Sequence, residues 1–353
     1  MHHVVSWNIN GIWSPMREPS NCPAGRVLDA LDADIVCLQE IKVNRHVLTE
    51  PWFSFSHSRS GYSGVATFCK DSATPVAAEE GLSGVLATLN EDVGCYGNMD
   101  EFTKEELQVL DSEGCALLTQ HKIRTLEGKE KTLTLINVYR PHADPGKPEQ
   151  LTFKMRFYYL LQKLLAAGSH VIILGDLNTA TDPMHCDASS QECSEEEPGR
   201  KWMDGLLSNP GNEAGPTFRY FHPKQQRAFT CLSGARHLSY GSRLDYVLGE
   251  RSLVIDTFQA SFLLPEVMGS DYPVGAVLNV SCVPAKQCPA LCTCFLPEFA
   301  GTQIKILRFL VPLKQEPVQE QSVLQPSHQI QAQKEPSKAC IHSTRLRRRE
   351  NGP

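Results

Sequence analysis

Val171-Ile172-Ile173-Leu174-Gly175-Asp176-Leu177-Asn178 is the stretch on which the fold turns. Its first four residues are apolar without a break, the pattern of a buried strand bounded by turn residues. Immediately before it, residues 147–167 read as the clearest helix of the chain. Leu151, Met155, Tyr158, Leu161 and Leu165 recur three or four apart, Pro148 suits the first turn, and Gly168 suits the stop. A helix feeding a buried strand that ends in Gly-Asp-Leu-Asn is a building unit of an α/β protein. Asp176 and Asn178 are one residue apart, a spacing that points both side chains to the same side of an extended or tightly turned segment. A carboxylate and a carboxamide aimed together can orient a water and hold a metal-bound phosphate. The plainer reading is an Asx-turn that closes the strand.

The same pattern repeats outward. Val4–Ile9, Asp34–Leu38, Gly64–Cys69, Thr132–Tyr139, His170–Leu174, Leu244–Leu248, Ile255–Leu264 and Val274–Val280 are apolar or β-branched runs predicted as strands. Thr103–Leu110 is predicted as a second, shorter helix opened by a Thr-x-x-Glu capping box. The mixture predicts an α/β or α+β sandwich. No Gly-x-Gly-x-x-Gly or phosphate-loop motif joins a strand to a helix, which disfavours a nucleotide-binding fold.

Five more short islands sit at or just past strand ends: Ser6-Trp7-Asn8-Ile9-Asn10-Gly11, Leu38-Gln39-Glu40, Asn137-Val138-Tyr139, Arg243-Leu244-Asp245-Tyr246 and Gly269-Ser270-Asp271. Side chains delivered by several strand ends to one rim build an active site, and an oxygen-rich set suits a hard cation such as Mg²⁺. Singly, each has a plainer explanation: Glu40 as a solvated strand end, Asn8 as a turn residue, Tyr139 as an edge-of-core phenol. Asp245 lies inside a strand and needs a partner, either an ion pair with Arg243 or a catalytic group that it orients.

Bulk properties narrow the class. A net charge of −6 argues against a globally basic nucleic-acid binder and leaves room for a local basic groove. No apolar run approaches the roughly 20 residues that span a bilayer, and Met1-His2-His3 lacks a secretory pattern. The thirteen cysteines are scattered, and Cys37 and Cys69 fall inside apolar runs, so the expectation is free thiols in an intracellular, reducing compartment. Cys282, Cys288, Cys292 and Cys294 match no common paired zinc spacing and read as ordinary thiols. Two regions are predicted: a folded domain over 1–312 and a disordered polar tail over 313–353 that ends in Arg345-Leu346-Arg347-Arg348-Arg349. That basic run reads by default as a solvated tail, with a nuclear-targeting or DNA-contact element as the alternative.

Taken in order, the islands resemble the exonuclease III family of class II apurinic/apyrimidinic endonucleases, within the endonuclease/exonuclease/phosphatase superfamily. The likeness extends over most of Val4–Pro312, including Gly61-Tyr62-Ser63-Gly64-Val65-Ala66-Thr67-Phe68 and Gly94-Cys95-Tyr96-Gly97-Asn98-Met99-Asp100-Glu101. It implies a four-layer α/β sandwich of two packed mixed sheets flanked by helices. It also implies Mg²⁺-dependent hydrolysis of a DNA phosphodiester, with Mn²⁺ as a substitute metal. By the resemblance, Asn8 and Glu40 lie at the metal, Asp271 completes the metal shell, and Asp176 and Asn178 also face it. Asp176 activates the attacking water, Asn178 stabilises the pentacovalent phosphate, and Tyr139 contacts the scissile phosphate. Asp245 orients a histidine that normally follows the last Asp. The implied substrates are DNA with abasic sites or blocked 3′ ends, acted on by a monomer in the nucleus, with cytoplasm and mitochondrion as further compartments. A sliding-clamp partner rests only on Gln303, Ile306 and Phe309, where an amphipathic packing segment is the plainer reading.

The chain departs from that family pattern at its last island. Ser270-Asp271-Tyr272-Pro273 carries Tyr272 where the histidine is expected and is one residue shorter. Losing one preorganised donor costs about 10²–10³ in turnover. A one-residue slip displaces Asp271 by up to roughly 3.3 Å. Phe229-Thr230-Cys231-Leu232-Ser233-Gly234 also lacks the aromatic expected near the sugar pocket, although Tyr272 remains a candidate DNA contact. Three functions follow as alternatives: a DNA-repair nuclease, a catalytically impaired relative that keeps the fold and DNA binding, and a superfamily phosphoesterase acting on a small substrate.

Overall fold

The computed structural model describes residues 1–11, 24–43, 53–57, 63–87, 93, 96, 98–140, 142–144, 146–167, 170–181, 197–208, 214–232, 241–267 and 271–295. They belong to one compact unit within Met1–Phe309. The strands in chain order are β1 (His2–Asn8), β2 (Ile35–Gln39), β3 (Phe53–His57), β4 (Val65–Cys69), β5 (Ala77–Glu80), β6 (Ala116–Arg124), β7 (Glu130–Tyr139), β8 (Val171–Asp176), β9 (Ala214–Pro216), β10 (Cys231–Leu232), β11 (Gly241–Ser242), β12 (Asp245–Glu250), β13 (Phe258–Leu263), β14 (Val274–Leu278) and β15 (Ser281–Val283). The helices are α1 (Ala24–Ala30), α2 (Lys104–Ser112), α3 (Pro148–Ala167), α4 (Pro198–Ser208), α5 (Thr217–Phe221) and α6 (Arg251–Thr257).

Two mixed sheets form an α/β sandwich. One runs β13-β14-β1-β2-β4-β3; the other runs β15-β6-β7-β8-β12-β9, with β5 also paired to β6. Each sheet contains a single parallel pair, β1 with β2 and β7 with β8. This is what positions the site. Parallel neighbours present their carboxyl ends on one rim, where α/β proteins gather functional groups. In β1 the alternation of side chains separates two cores. Val5, Trp7 and Ile9 pack outward with Val36, Leu38, Phe68 and Leu28. Val4 packs inward with Ile35, Cys37, Leu117, Leu135 and Ile136. Helix α3 covers the second sheet with Phe157, Tyr158, Leu161 and Leu164, all fully buried, and Trp202 of α4 stacks on Tyr158 at 4.2 Å.

A polar staple joins the sheets directly beneath that rim. Asn137 of β7 donates to Ala66 O at 3.0 Å and Leu38 O at 3.3 Å, and Gln39 Nε2 donates to Asn137 Oδ1 at 2.8 Å and Ser6 Oγ at 3.0 Å. Buried amides are stable only when paired in this way, so the contacts set how the two sheets align.

The capping box holds: Thr103 accepts from Glu106 N, and Glu106 accepts from Thr103 N. One predicted strand is corrected. Residues 255–264 do not form a single strand, because α6 runs through Thr257 before β13 begins. Leu253, Val254 and Thr257 are buried while Ile255 is exposed, a helical spacing that the β-branched composition masked. Every described cysteine is a free thiol. Cys292 and Cys294 touch at 3.3 Å. No described helix is long and apolar enough to cross a membrane. The clamp-like segment at 303–309 and the basic tail lie outside the described residues, as do His185 and His237, the histidines that could otherwise partner Asp245.

Candidate active site

Asn8 ends β1, Glu40 follows β2, Tyr139 ends β7, Asp176 ends β8 and Asp245 opens β12. The Asn8 side chain links the two sheets, its Nδ2 donating to Glu40 Oε1 at 2.9 Å and to Asp176 Oδ2 at 2.8 Å. Asn8 Oδ1 accepts from Asn10 N at 3.0 Å. Asn178 donates its backbone N–H to Asp176 Oδ1 at 2.8 Å. Its Nδ2 reaches Asp176 Oδ2 at 3.1 Å and Arg140 O at 2.7 Å. The Asx-turn and the shared orientation of Asp176 and Asn178 are therefore one arrangement. Tyr139 is buried and in register with Asp176, which places it on the same face of the sheet as Asn137.

The backbone around these groups is unusual. Asn10, Glu40, Lys42 and Asn178 have φ of 47°, 51°, 53° and 45°, left-handed values that cost L-residues energy and cluster at functional sites. Lys42, two residues beyond Glu40, pairs with Glu40 Oε2 at 2.7 Å and also donates to Asn10 Oδ1.

Asp176 and Asp245 lie directly opposite each other on antiparallel strands, a like-charged pairing that disfavours double ionisation. Burial, then the Asp245 charge, push the Asp176 carboxyl well above its ordinary range, with Asn178 and Asn8 hydrogen bonds opposing. Asp245 is fully buried, and neither carboxylate oxygen meets a hydrogen-bond partner among the described residues. Burial and the Asp271 charge raise its pKa strongly. The nearby Thr230 hydroxyl eases that rise without meeting hydrogen-bond geometry at either oxygen. Of the two partners open to Asp245, the Arg243 ion pair is not formed. Arg243 turns away, stacking its guanidinium 4.0 Å from the Phe218 ring and donating to Ala228 O at 3.0 Å.

Asp271 joins the same pocket despite the shortened segment. Its carbonyl accepts the Trp7 indole N–H at 3.0 Å, and its backbone bridges Cys231. Its carboxyl is pushed up to about 7 by burial, then by Asp176 and Glu40, with the Cys231 thiol opposing. The neighbouring Tyr272 N–H donates to Thr230 O at 2.8 Å.

Glu40, Asp176, Asp245 and Asp271 thus line one shared pocket of hard oxygen donors, in which burial and neighbouring charge raise the pKa values of the three aspartates. That chemistry fits a divalent cation. Among the described residues, no three His, Cys, Asp or Glu side chains already close round one point. Lys42 and Asn8 hold the oxygens of Glu40 and Asp176.

Residues 5–271 match the pattern of the Endonuclease/Exonuclease/phosphatase family, a span containing every side chain placed above except Tyr272. The chain belongs to this family. It is 78% identical to the Mus musculus DNA-(apurinic or apyrimidinic site) endonuclease 2, over the whole of this chain and 75% of that protein. With the Homo sapiens protein of the same name it shares 70% identity, over 98% of this chain and 73% of that protein. Among solved structures, the Xenopus laevis APE2 catalytic domain superposes with a TM-score of 0.78 at 52% identity, covering 86% of this chain and 99% of that one. The mouse alignment runs over 385 positions against 353 residues here, so about 32 positions of that relative have no counterpart (385 less 353).

Other residues of the site escaped the sequence reading. Lys42 carried a signal, a cation two residues past Glu40. Arg140 touches the site through its own carbonyl, which holds the Asn178 amide, and Lys154 through its ammonium on the Asn178 carbonyl, contacts with backbone atoms that no side-chain motif records.

Proposed function

We propose that this chain is a Mg²⁺-dependent DNA-repair nuclease of the nucleus. It hydrolyses the phosphodiester 5′ to abasic sites and trims 3′ ends as a 3′–5′ exonuclease and 3′-phosphodiesterase. The observation that carries this reading is the Asn8–Glu40–Asp176–Asn178 network, built from both sheets, in a chain whose relatives bear the name of an apurinic/apyrimidinic-site endonuclease.

Asn8, Glu40 and Asp271 would hold the cation, with Asp176 and Asn178 facing it. When bound, Mg²⁺ supplies Lewis-acid neutralisation of the phosphate charge. Asp176 takes the proton of the attacking water. Its Oδ2 accepts two amide N–H groups but its Oδ1 only one, from Asn178 N, leaving an Oδ1 lone pair for the water. A carboxyl pKa raised by burial suits a general base working near neutrality. Asn178 would turn to a phosphate oxygen one of the two N–H groups that it now gives to Asp176 Oδ2 and Arg140 O, and Tyr139 contacts the scissile phosphate. Fixing these groups before substrate arrives accounts for catalysis by position and charge.

A second reading, an impaired relative that keeps the fold and DNA binding, draws on Asp245. Its two oxygens have no described partner where a family member would orient a histidine. Cleavage of an abasic-site duplex decides between them. Turnover requiring Mg²⁺ and abolished by Asp176→Asn supports the nuclease. Normal DNA binding without turnover in the wild type supports the impaired relative. Robust turnover unaffected by Asp176→Asn refutes the roles assigned here.

A further inference from the structure

Three consecutive carbonyls of the loop after β8 are each met by a buried side chain from another element. Tyr158 of α3 donates to Leu177 O at 2.5 Å. Lys154, also of α3, donates to Asn178 O at 3.1 Å. The Tyr246 hydroxyl lies 3.0 Å from Thr179 O and 2.7 Å from Arg243 O and shares one proton between them. Turns normally leave their carbonyls to water, so this loop is held to an unusual degree. It is also the loop that keeps Asn178 at a φ of 45°, a conformation that persists only where the surroundings over-determine it.

Lys154 is the central point of the three. Its side chain is 5% exposed, and an ammonium so deeply placed needs a fixed counter-charge. Glu197 Oε1 provides it at 2.9 Å. The other oxygen, Oε2, accepts from Arg200 N at 2.6 Å and from the Thr179 hydroxyl at 3.3 Å, so the same carboxylate caps α4 and returns to the loop. The elements meet so closely that a Cβ on Gly199 would stand 2.8 Å from Lys154 Cε and 2.8 Å from Glu197 Oε2. Lys154 reaches the loop at Asn178 O, and Glu197 reaches it at the Thr179 hydroxyl.

We propose that Lys154, anchored by Glu197, is a positioning residue that fixes the Asn178 amide for phosphodiester hydrolysis. This deepens the nuclease reading and rests on it. The loop carries Asn178 Nδ2 on Arg140 O and Asp176 Oδ2. Releasing Asn178 O lets the left-handed turn relax and swings that amide off its mark. A misplacement of 1 Å at a reacting group costs on the order of 10²-fold, and a partial release proportionately less.

The test is a double-mutant cycle on an abasic-site duplex with Mg²⁺. Lys154→Met is expected to lower kcat about tenfold with KM within about twofold, the pattern of a lost transition-state contact. In an Asn178→Ala background the same change should cost less than about twofold, because the amide it positions is gone. Equal losses in both backgrounds, or an unchanged kcat, would overturn the proposal. Amide hydrogen exchange across 176–181 provides a readout that needs no turnover. It should quicken about tenfold in Lys154→Met while β7 keeps its protection, and unchanged exchange would also overturn the proposal. If Lys154→Met fails to fold, Glu197→Gln can keep its oxygen on Arg200 N while its NH2 replaces the oxygen that Lys154 meets, removing both the counter-charge and the acceptor of Lys154. It should shift both readouts in the same direction, and no shift counts against the proposal. A wild-type protein that cleaves no phosphodiester would refute the nuclease reading, and the exchange comparison would still decide whether Lys154 holds the loop.

Discussion

Replacing Gly175 with alanine is expected to unlatch the centre of the second sheet. Gly175 sits in β8 at a φ of 142°, and a Cβ built there would stand 1.9 Å from Val138 O. Real Cβ contacts essentially never fall below 3.0 Å, so the two strands must part by at least 1.1 Å (3.0 less 1.9). Val138 is in register with Gly175 and Tyr139 with Asp176, so both rungs stretch beyond useful hydrogen-bond length. Two lost bonds at about 1–1.5 kcal/mol each, plus roughly 1 kcal/mol of backbone strain, give a loss of about 3–4 kcal/mol. Urea unfolding measures it directly. Gly128→Ala is the control, because Gly128 also has a positive φ, 78°, but nothing lies within 4 Å of the added Cβ; about 1 kcal/mol is expected there. The shift also moves Asp176, so kcat should fall by about 10²-fold. Equal destabilisation at the two glycines, or full activity in Gly175→Ala, would refute the close-approach argument.

Three further outcomes are expected. Asp245 has a raised folded pKa, so its charge destabilises the fold above that pKa and contributes nothing below the unfolded value near 3.8, where both states are protonated. Asp245→Asn should therefore stabilise the metal-free protein by about 1–3 kcal/mol at pH 8 and by little at pH 3.5, measured by urea unfolding; destabilisation at pH 8 would contradict it. Asp271, raised from 3.8 to about 7, predicts that unfolding midpoints in EDTA fall between about pH 4 and pH 7 and that Asp271→Asn makes that fall shallower. Millimolar Mg²⁺ should abolish that fall, because a bound cation favours the ionised form, and an identical slope with and without metal would argue against the cation site. Tyr272→His should raise turnover about 10²-fold if residue 272 faces the phosphate. No gain, with DNA affinity intact, would place the fault in the shortened segment.

Much of this fold was legible because its strands carry their own signal. Val171–Leu174 is a continuous apolar run, Thr132–Tyr139 is rich in β-branched and apolar residues, and the Thr103–Glu106 box marks its helix by residue type alone. β6 was not predicted, since its buried half, Ala116 to Thr119, gives way to Gln120, Lys122 and Arg124 on a surface-facing stretch. The strand-end oxygens were legible for a different reason: a chain that ends apolar runs in Asn, Glu and Asp advertises a rim. Arg243 misled because adjacency in sequence suggests pairing. Arg243 falls between β11 and β12 while Asp245 opens β12, and the guanidinium goes to Phe218 while the carboxylate faces the pocket. Lys154 and Glu197 meet across 43 residues, a distance over which helix periodicity shows only that a face is buried.

The pairing of β1 with β14 has a consequence for biosynthesis. Val4 lies opposite Ala276 and Ser6 opposite Val274, so β1 leaves the ribosome well before the strand with which it pairs. At about 5–20 residues per second the interval is roughly 10–60 s. Throughout it, the apolar edge of β1 is open to any other nascent strand. The carboxylate rim cannot be completed earlier, because Trp7 and Asp271 meet only when that strand closes. Newly made chains are thus expected to depend on chaperones until translation has passed residue 278, and to acquire their nuclease chemistry in a single late step.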